Sequence, residues 1–245
     1  MSVASNPPSL SEAIQRLPLA SFGARFWRID LTGEPDAVSV ASLSADEQAR
    51  AARFVFEEHR RRFRIAHGAL RALLAMETGL PPGSLEFVTN SHGKPALAGR
   101  PDCFFNMSHT DSVALVVIAQ DLPAGSELGV DLEELRKMRD VTALAAMNFT
   151  RAEQAELALA PQEMRDRVFL SGWTRKEACL KALGSGLSIA PSTFECGLAT
   201  RDARVSIPVS AFRAEIDVQS IEVDVGHMAA VALMHPAQVL QESIQ

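Results

Sequence analysis

The run Gly129-Val130-Asp131-Leu132-Glu133 carries two carboxylates two residues apart. In a strand, alternate side chains share a face, so Asp131 and Glu133 leave one side while Val130 and Leu132 enter the core. Like charges at that spacing repel unless water, a cation or a metal comes between them. Hard oxygen donors of this kind suit Mg2+, which takes few protein carboxylates and fills its shell with water and substrate phosphate. A solvated strand end would contain the same residues.

A second constellation is Trp173-Thr174-Arg175-Lys176-Glu177-Ala178-Cys179-Leu180-Lys181, followed by Gly184-Ser185-Gly186. On a helix Trp173, Glu177 and Lys181 share one face. They read either as an exposed ion pair beside a packed indole or as a carboxylate and an ammonium aimed into a cleft. Phe105-Asn106-Met107-Ser108-His109 places a serine beside a histidine. Neighbouring side chains diverge on a strand, and no Gly-x-Ser-x-Gly elbow is present, so a serine hydrolase is disfavoured. Ser108 and His109 read better as hydrogen-bonding groups at a strand end. His92-Gly93-Lys94-Pro95 is a turn that presents one lysine. Between Arg50 and Arg71, seven arginines face Glu57 and Glu58, a local excess of five positive charges in a chain of net charge −6. That cluster is either a solvated helical face or a collector of a small anion.

These groups need elements to position them. Residues 24–31 alternate as a strand. Ser44 with Glu47 forms a capping box that opens a helix, and helical spacing continues through Phe54, Phe63 and Leu74 to Thr78, where Gly79 stops it. Short strands are expected at 85–89, 104–107 and 113–119, and residues 121–126 make a linker. A strand at 127–132 follows. Thr150 with Glu153 then caps a helix ended by Pro161, and a long helix runs over 162–183. Strands at 192–198, 212–218 and 227–234 close the chain, and the residues up to about Leu19 are expected to be loosely held. His109 followed by Val113-Ala114-Leu115 echoes His227 followed by Val231-Ala232-Leu233. The class is α+β (mixed α/β), with two similar pseudo-twofold halves, residues 1–122 and 123–245. Each half is a small sheet packed with a long helix, with an active site in the cleft between them.

Composition bounds the reading. With 245 residues, 47% of them hydrophobic, the chain can bury a real core. It has no apolar run near the ~20 residues of a membrane helix, and no basic, apolar leader opens it. The acidic balance disfavours nucleic acid as a partner. Three cysteines at no ligand-like spacing fit a reduced, cytoplasmic compartment.

Taken in order, Gly-Lys-Pro, Phe-Asn-Met-Ser-His, Gly-Val-Asp-Leu-Glu and Trp-x-x-Lys-Glu-Ala-x-x-Lys-x-x-Gly-x-Gly-Leu resemble the 4′-phosphopantetheinyl transferases, in particular the two-halved monomeric subgroup. The resemblance implies transfer of the 4′-phosphopantetheine arm of coenzyme A to a serine of an acyl or peptidyl carrier protein, in fatty-acid, polyketide or nonribosomal-peptide synthesis. It implies Mg2+ on Asp131, Glu133 and Glu177, and catalytic parts for Asp131, Glu177 and Lys181. Coenzyme A would be held by Arg50, Arg62, Lys94, Ser108, His109, Lys176 and Lys181. Glu47 and Phe63 depart from the pattern, standing where some relatives carry a cation and a small hydroxyl residue. Residues 141–159 are the expected carrier dock. The rival readings are a Mg2+-dependent phosphohydrolase and a non-catalytic coenzyme A-binding module.

Overall fold

Residues 113–119 are apolar without a break, a pattern that a strand covered on both faces can bury. In the computed structural model, which describes residues 12–198, 200–209 and 212–236, they form β6 (Val113–Gln120), buried from Val113 to Ala119. This strand is central in an antiparallel sheet of order β1-β2-β6-β5, with β1 (Ile14–Ser21), β2 (Ala24–Asp30) and β5 (Cys103–His109). The second sheet has order β7-β10-β9-β8, from β7 (Glu127–Glu134), β8 (Asp202–Val209), β9 (Phe212–Ile221) and β10 (His227–Met234). The two Val-Ala-Leu runs fall in β6 and β10, the strand next to the carboxylate strand in one case and its counterpart in the other sheet. A two-stranded ribbon, β3 (Phe87–Thr89) with β4 (Pro95–Leu97), stands apart.

The sheets bury one face against each other, where Phe26, Leu115 and Val117 meet Leu128, Val130 and Val231. A long helix covers each opposite face. The first, α3 (Glu57–Thr78), follows the short α1 (Ala37–Ala41) and α2 (Ala45–Ala52) and packs Ile65, Leu70 and Leu73 on Trp27, Ile29 and Val116. After α4 (Val141–Asn148) and α5 (Arg151–Leu159), α6 (Arg165–Leu183) packs Ala178 and Ala182 on Ile216, Val218 and Ala230. The α+β class and its pairing of two small sheets with two long helices are as the sequence implies.

Three local expectations need correction. Of the residues expected to be loose, 1–11 lie outside the described residues, whereas Ile14–Ser21 form β1, an edge strand whose register shifts between Leu17 and Ser21 around Pro18. Proline is tolerated there because an edge strand leaves one row of amides unpaired. The single helix expected from Ser44 to Thr78 is two, α2 and α3. Phe56 takes an extended backbone (φ −90°, ψ 131°) at the start of α3, and Arg60 holds the carbonyl of Phe54 in the break. Residues 192–198 form no strand. Charged side chains take their backbone groups instead: Cys196 N–H donates to Glu153, the Cys196 carbonyl accepts from Arg175, and Leu198 N–H donates to Glu156. The elements α1, α4, β4 and β8 were not anticipated.

The expected capping box is present, and Glu47 does more than close it. Its Oε2 accepts from Ser44 N–H (2.8 Å) and from Arg71 Nε (2.7 Å), while Oε1 meets His67. Arg71 is 1% exposed and also donates to the carbonyls of Pro82 and Leu85. Burial works against the Glu47 charge, but the hydrogen bonds from His67, Ser44 and Arg71 outweigh it and lower the pKa from 4.5 to about 2. The folded value lies below the unfolded one, so this stabilisation is complete above pH 4.5 and is lost as pH falls through about 2. Glu47→Gln is expected to destabilise the fold at pH 7 by about 3 kcal/mol, because Arg71 keeps a buried charge without its partner. Urea midpoints measured across the acid range should fall less steeply in the variant; parallel profiles would contradict the assignment.

Candidate active site

A Cβ on Gly129 would stand 2.0 Å from the carbonyl oxygen of Ala178 and 2.4 Å from the amide of Ala182. Only glycine therefore lets α6 lie this close to β7. The approach brings the helix face of Trp173, Glu177 and Lys181 over the strand face of Asp131 and Glu133. From the first sheet, the buried Asn106 accepts from the backbone N–H of Val130 (3.0 Å), which pins β7 beside β5.

Asp131 is 5% exposed. Its Oδ1 accepts from Lys181 Nζ (2.7 Å) and from Ser108 Oγ (3.0 Å), and Lys181 Nζ also donates to Ser108 Oγ (2.9 Å). Three elements, β5, β7 and α6, thus meet at one charge. The other carboxylate oxygen, Oδ2, is buried and finds no hydrogen-bond partner among the described residues. Glu133 accepts from the indole N–H of Trp173 (3.1 Å) and from Arg136 (3.2 Å). Glu177 is partly buried, and burial, then the negative charges of Asp131 and Glu133, push its pKa up against the pull of Lys181.

The three carboxylates therefore feel one another, yet no three acidic, histidine or cysteine donors among the described residues converge closely enough to grip an ion as they stand. The donor set still fits a hard divalent cation. An orphaned buried oxygen and mutually repelling acids are what such an ion would relieve.

The remaining expected residues divide. Ser108 joins the cluster directly. His109 ends β5 beside it, its imidazole held below the usual pKa by desolvation and by the Lys181 and His67 charges. Lys94 is 11% exposed, pairs with Glu127 and donates to the Ala182 carbonyl (3.0 Å), while Asn90 donates to the Gly184 carbonyl (2.9 Å). The turn therefore caps the end of α6 rather than offering a free ammonium. Lys176 is not brought to the cleft. It is fully buried, paired with Glu153 at 2.8 Å and donating to the carbonyls of Pro191 and Phe194, because its position lies about 100° round the helix from Glu177.

The arginine cluster is dispersed in the same way. Arg71 is core, Arg61 holds the carbonyls of Thr32 and Gly33, and Arg62 pairs with Glu58 and Asp111. Arg50 is exposed, its guanidinium 5.6 Å from the centre of the Phe63 ring, which itself stacks on His67. Two residues of the quoted motifs to which no role was assigned hold the site in shape. Trp173 orients Glu133, and Asn106 fixes the strand next to Asp131. The helix spacing of Trp173 signalled the first; nothing local signals the second.

Known proteins match this chain along both halves. The sequence model of the 4′-phosphopantetheinyl transferase superfamily matches residues 127–230, and that of the N-terminal part of 4′-phosphopantetheinyl transferases matches 35–122. The 4′-phosphopantetheinyl transferase HetI of Nostoc sp. is 39% identical over 177 residues, covering 70% of this chain and 73% of the relative. The 4′-phosphopantetheinyl transferase Sfp of Bacillus subtilis is 26% identical over 206 residues, covering 84% and 88%. The psf-1 enzyme of Bacillus pumilus is 28% identical over 195 residues, with 80% of each chain covered.

The Asp131 carboxyl group sits in a nearly closed setting, 2.7 Å from a lysine that is itself 30% exposed. Lys181→Met is expected to cost about 2 kcal/mol, less than for a fully buried pair because water reaches the ammonium. Adding Asp131→Asn should recover most of that loss in denaturant unfolding. Additive losses in the double variant would show that the pair is not coupled.

Proposed function

This chain belongs to the 4′-phosphopantetheinyl transferase superfamily, and from that premise we propose how its own residues carry the reaction. The activity moves the phosphopantetheine arm of coenzyme A to a carrier protein. The serine oxygen of the carrier forms a bond to the β-phosphorus, and the pyrophosphate P–O bond breaks. Adenosine 3′,5′-bisphosphate leaves, and the serine proton must go to a base.

Lys181, at the junction of β5, β7 and α6, is the ammonium that meets the pyrophosphate, with Ser108 and His109 as its hydrogen-bonding neighbours. Glu177 takes the serine proton. Glu177 stands one helical turn from Lys181 on α6, on the side of that helix that would face the pyrophosphate. Asp131, Glu133 and Glu177 would hold Mg2+, which supplies neutralisation of the pyrophosphate charge and polarises the phosphorus. Residues 1–122 hold the nucleotide, with Arg50 and Arg62 on its 3′-phosphate, and residues 123–245 bring the chemistry. Lys94 serves the site indirectly, by fixing the end of α6. The observation that carries this reading is the Asp131–Lys181–Ser108 junction with its one unpartnered oxygen.

The carrier docks beside Glu133. A groove of about 1110 Å3 lies between residues 135–142 and 162–167, lined by the cations Arg136, Lys137, Arg139, Arg165 and Arg167 against the acids Asp140, Glu163 and Asp166. It opens next to α4 and offers cations to the acidic surface expected around a carrier's serine.

The test is the mass of an apo-carrier after incubation with coenzyme A and Mg2+, which should rise by one phosphopantetheine arm. Asp131→Asn and Glu177→Gln should each lower kcat/KM by ~10²–10³-fold, as losses of charge stabilisation at a transferring phosphoryl group do, with an unchanged circular dichroism spectrum. Full rates in both variants would remove the metal and base assignments. Hydrolysis of coenzyme A without an acceptor would favour a phosphohydrolase.

A further inference from the structure

Arg62 is not free to receive a ligand. Its Nη1 donates to Asp111 (2.8 Å) and its Nη2 to Glu58, while its Nε is buried without a hydrogen-bond partner among the described residues. Its side chain is 16% exposed, whereas those of Asp111 and Glu58 are 77% and 58% exposed. The guanidinium thus has both ends tied to solvent-screened carboxylates and its inner donor unused. The cavity beside it, lined by Phe54, His59, Phe63, His67 and His109, has only about 80 Å3. A nucleotide-sized ligand needs a pocket of ~300 Å3 or more.

Asp111 also sits on a firm support. Thr110 N–H donates to the Val113 carbonyl (2.8 Å), and the Thr110 hydroxyl accepts from the amides of Ser112 and Val113, closing the turn between β5 and β6. The carboxylate is therefore presented by the turn that carries His109, on the rim of the same cavity.

We infer that Asp111, helped by Glu58, is a built-in competitor for Arg62 that the phosphate monoester of the incoming nucleotide must displace, so that Asp111 sets how strongly this chain prefers the 3′-phosphorylated ligand. The inference rests on the reading of Arg62 as a 3′-phosphate ligand. A phosphate dianion offers three acceptor oxygens and can engage Nε and Nη2 side-on, which the two carboxylates leave incomplete. Each exposed pair is weak enough to yield. Displacing both frees Arg62 to move and the cavity to open.

Removing the competitor should therefore strengthen binding, the opposite of what loss of an aligning or structural residue would do. Calorimetric titration of the full chain with coenzyme A and with dephospho-coenzyme A, at fixed ionic strength and without carrier, tests this. Asp111→Asn should tighten coenzyme A by ~2–5-fold, the range of one exposed ion pair, and leave dephospho-coenzyme A unchanged. In an Arg62→Ala background the same substitution should have no effect on either ligand. Weaker coenzyme A binding in Asp111→Asn, or an equal shift for both ligands, would overturn the inference. The two levels fail differently. If Arg62→Ala binds both ligands as the parent does, the reading of Arg62 falls and the inference falls with it. If Arg62→Ala loses coenzyme A selectively but Asp111→Asn changes nothing, only the competitor role of Asp111 is refuted.

Discussion

The ammonium of Lys181 is the counter-charge on which this site depends. The carboxyl group of Asp131 lies in a nearly closed setting, where a charge carries a large desolvation cost unless an opposite charge and a hydrogen bond meet it. Lys181 supplies the charge from α6 and Ser108 the hydrogen bond from β5. The junction therefore requires the first sheet, the second sheet and the second long helix to stand in one arrangement. The bare backbone of Gly129 makes that arrangement possible, because any side chain there would push α6 off β7.

Around this junction the two halves contribute unlike things. The second half carries the carboxylates, the lysine and the basic groove. The first contributes Ser108, the Asn106 contact that pins β7, and the turn whose Lys94 and Asn90 close the end of α6. The apolar seam between the sheets, with Phe26, Leu115 and Val117 on one side and Val130 and Val231 on the other, holds these parts in register. Well-packed interiors deform little, so a junction that spans such a seam is held at fixed spacing.

Much of this was legible in the residues themselves. Period-two alternation put Asp131 and Glu133 on one face and Val130 and Leu132 in the core, and the structure agrees. Four-residue spacing put Trp173, Glu177 and Lys181 on one side of a helix ended by Gly184, whose left-handed backbone (φ 64°) closes it. The capping boxes at Ser44 and Thr150 were readable for the same local reason. What escaped was set by distant partners. Residues 192–198 have strand-like composition, but Glu153, Glu156 and Arg175 capture their backbone groups from elsewhere in the chain. Lys176 carries a motif position, yet its pairing with Glu153 across 23 residues decides that it is structural. Charge counts between Arg50 and Arg71 could not separate a buried Arg71 on α3 from an exposed Arg50 on α2, because burial depends on what each helix packs against.

In the mechanism we propose, Asp131, Glu133 and Glu177 would hold one divalent ion over the Lys181 junction. The most direct measurement is the anomalous scattering of Mn2+ in crystals of the chain grown with coenzyme A. The account predicts a single strong peak about 2.1 Å from Asp131 Oδ2, the distance of a small divalent ion from a carboxylate oxygen, with Glu177 turned toward it. A peak elsewhere, with Asp131 Oδ2 still unengaged, would contradict it.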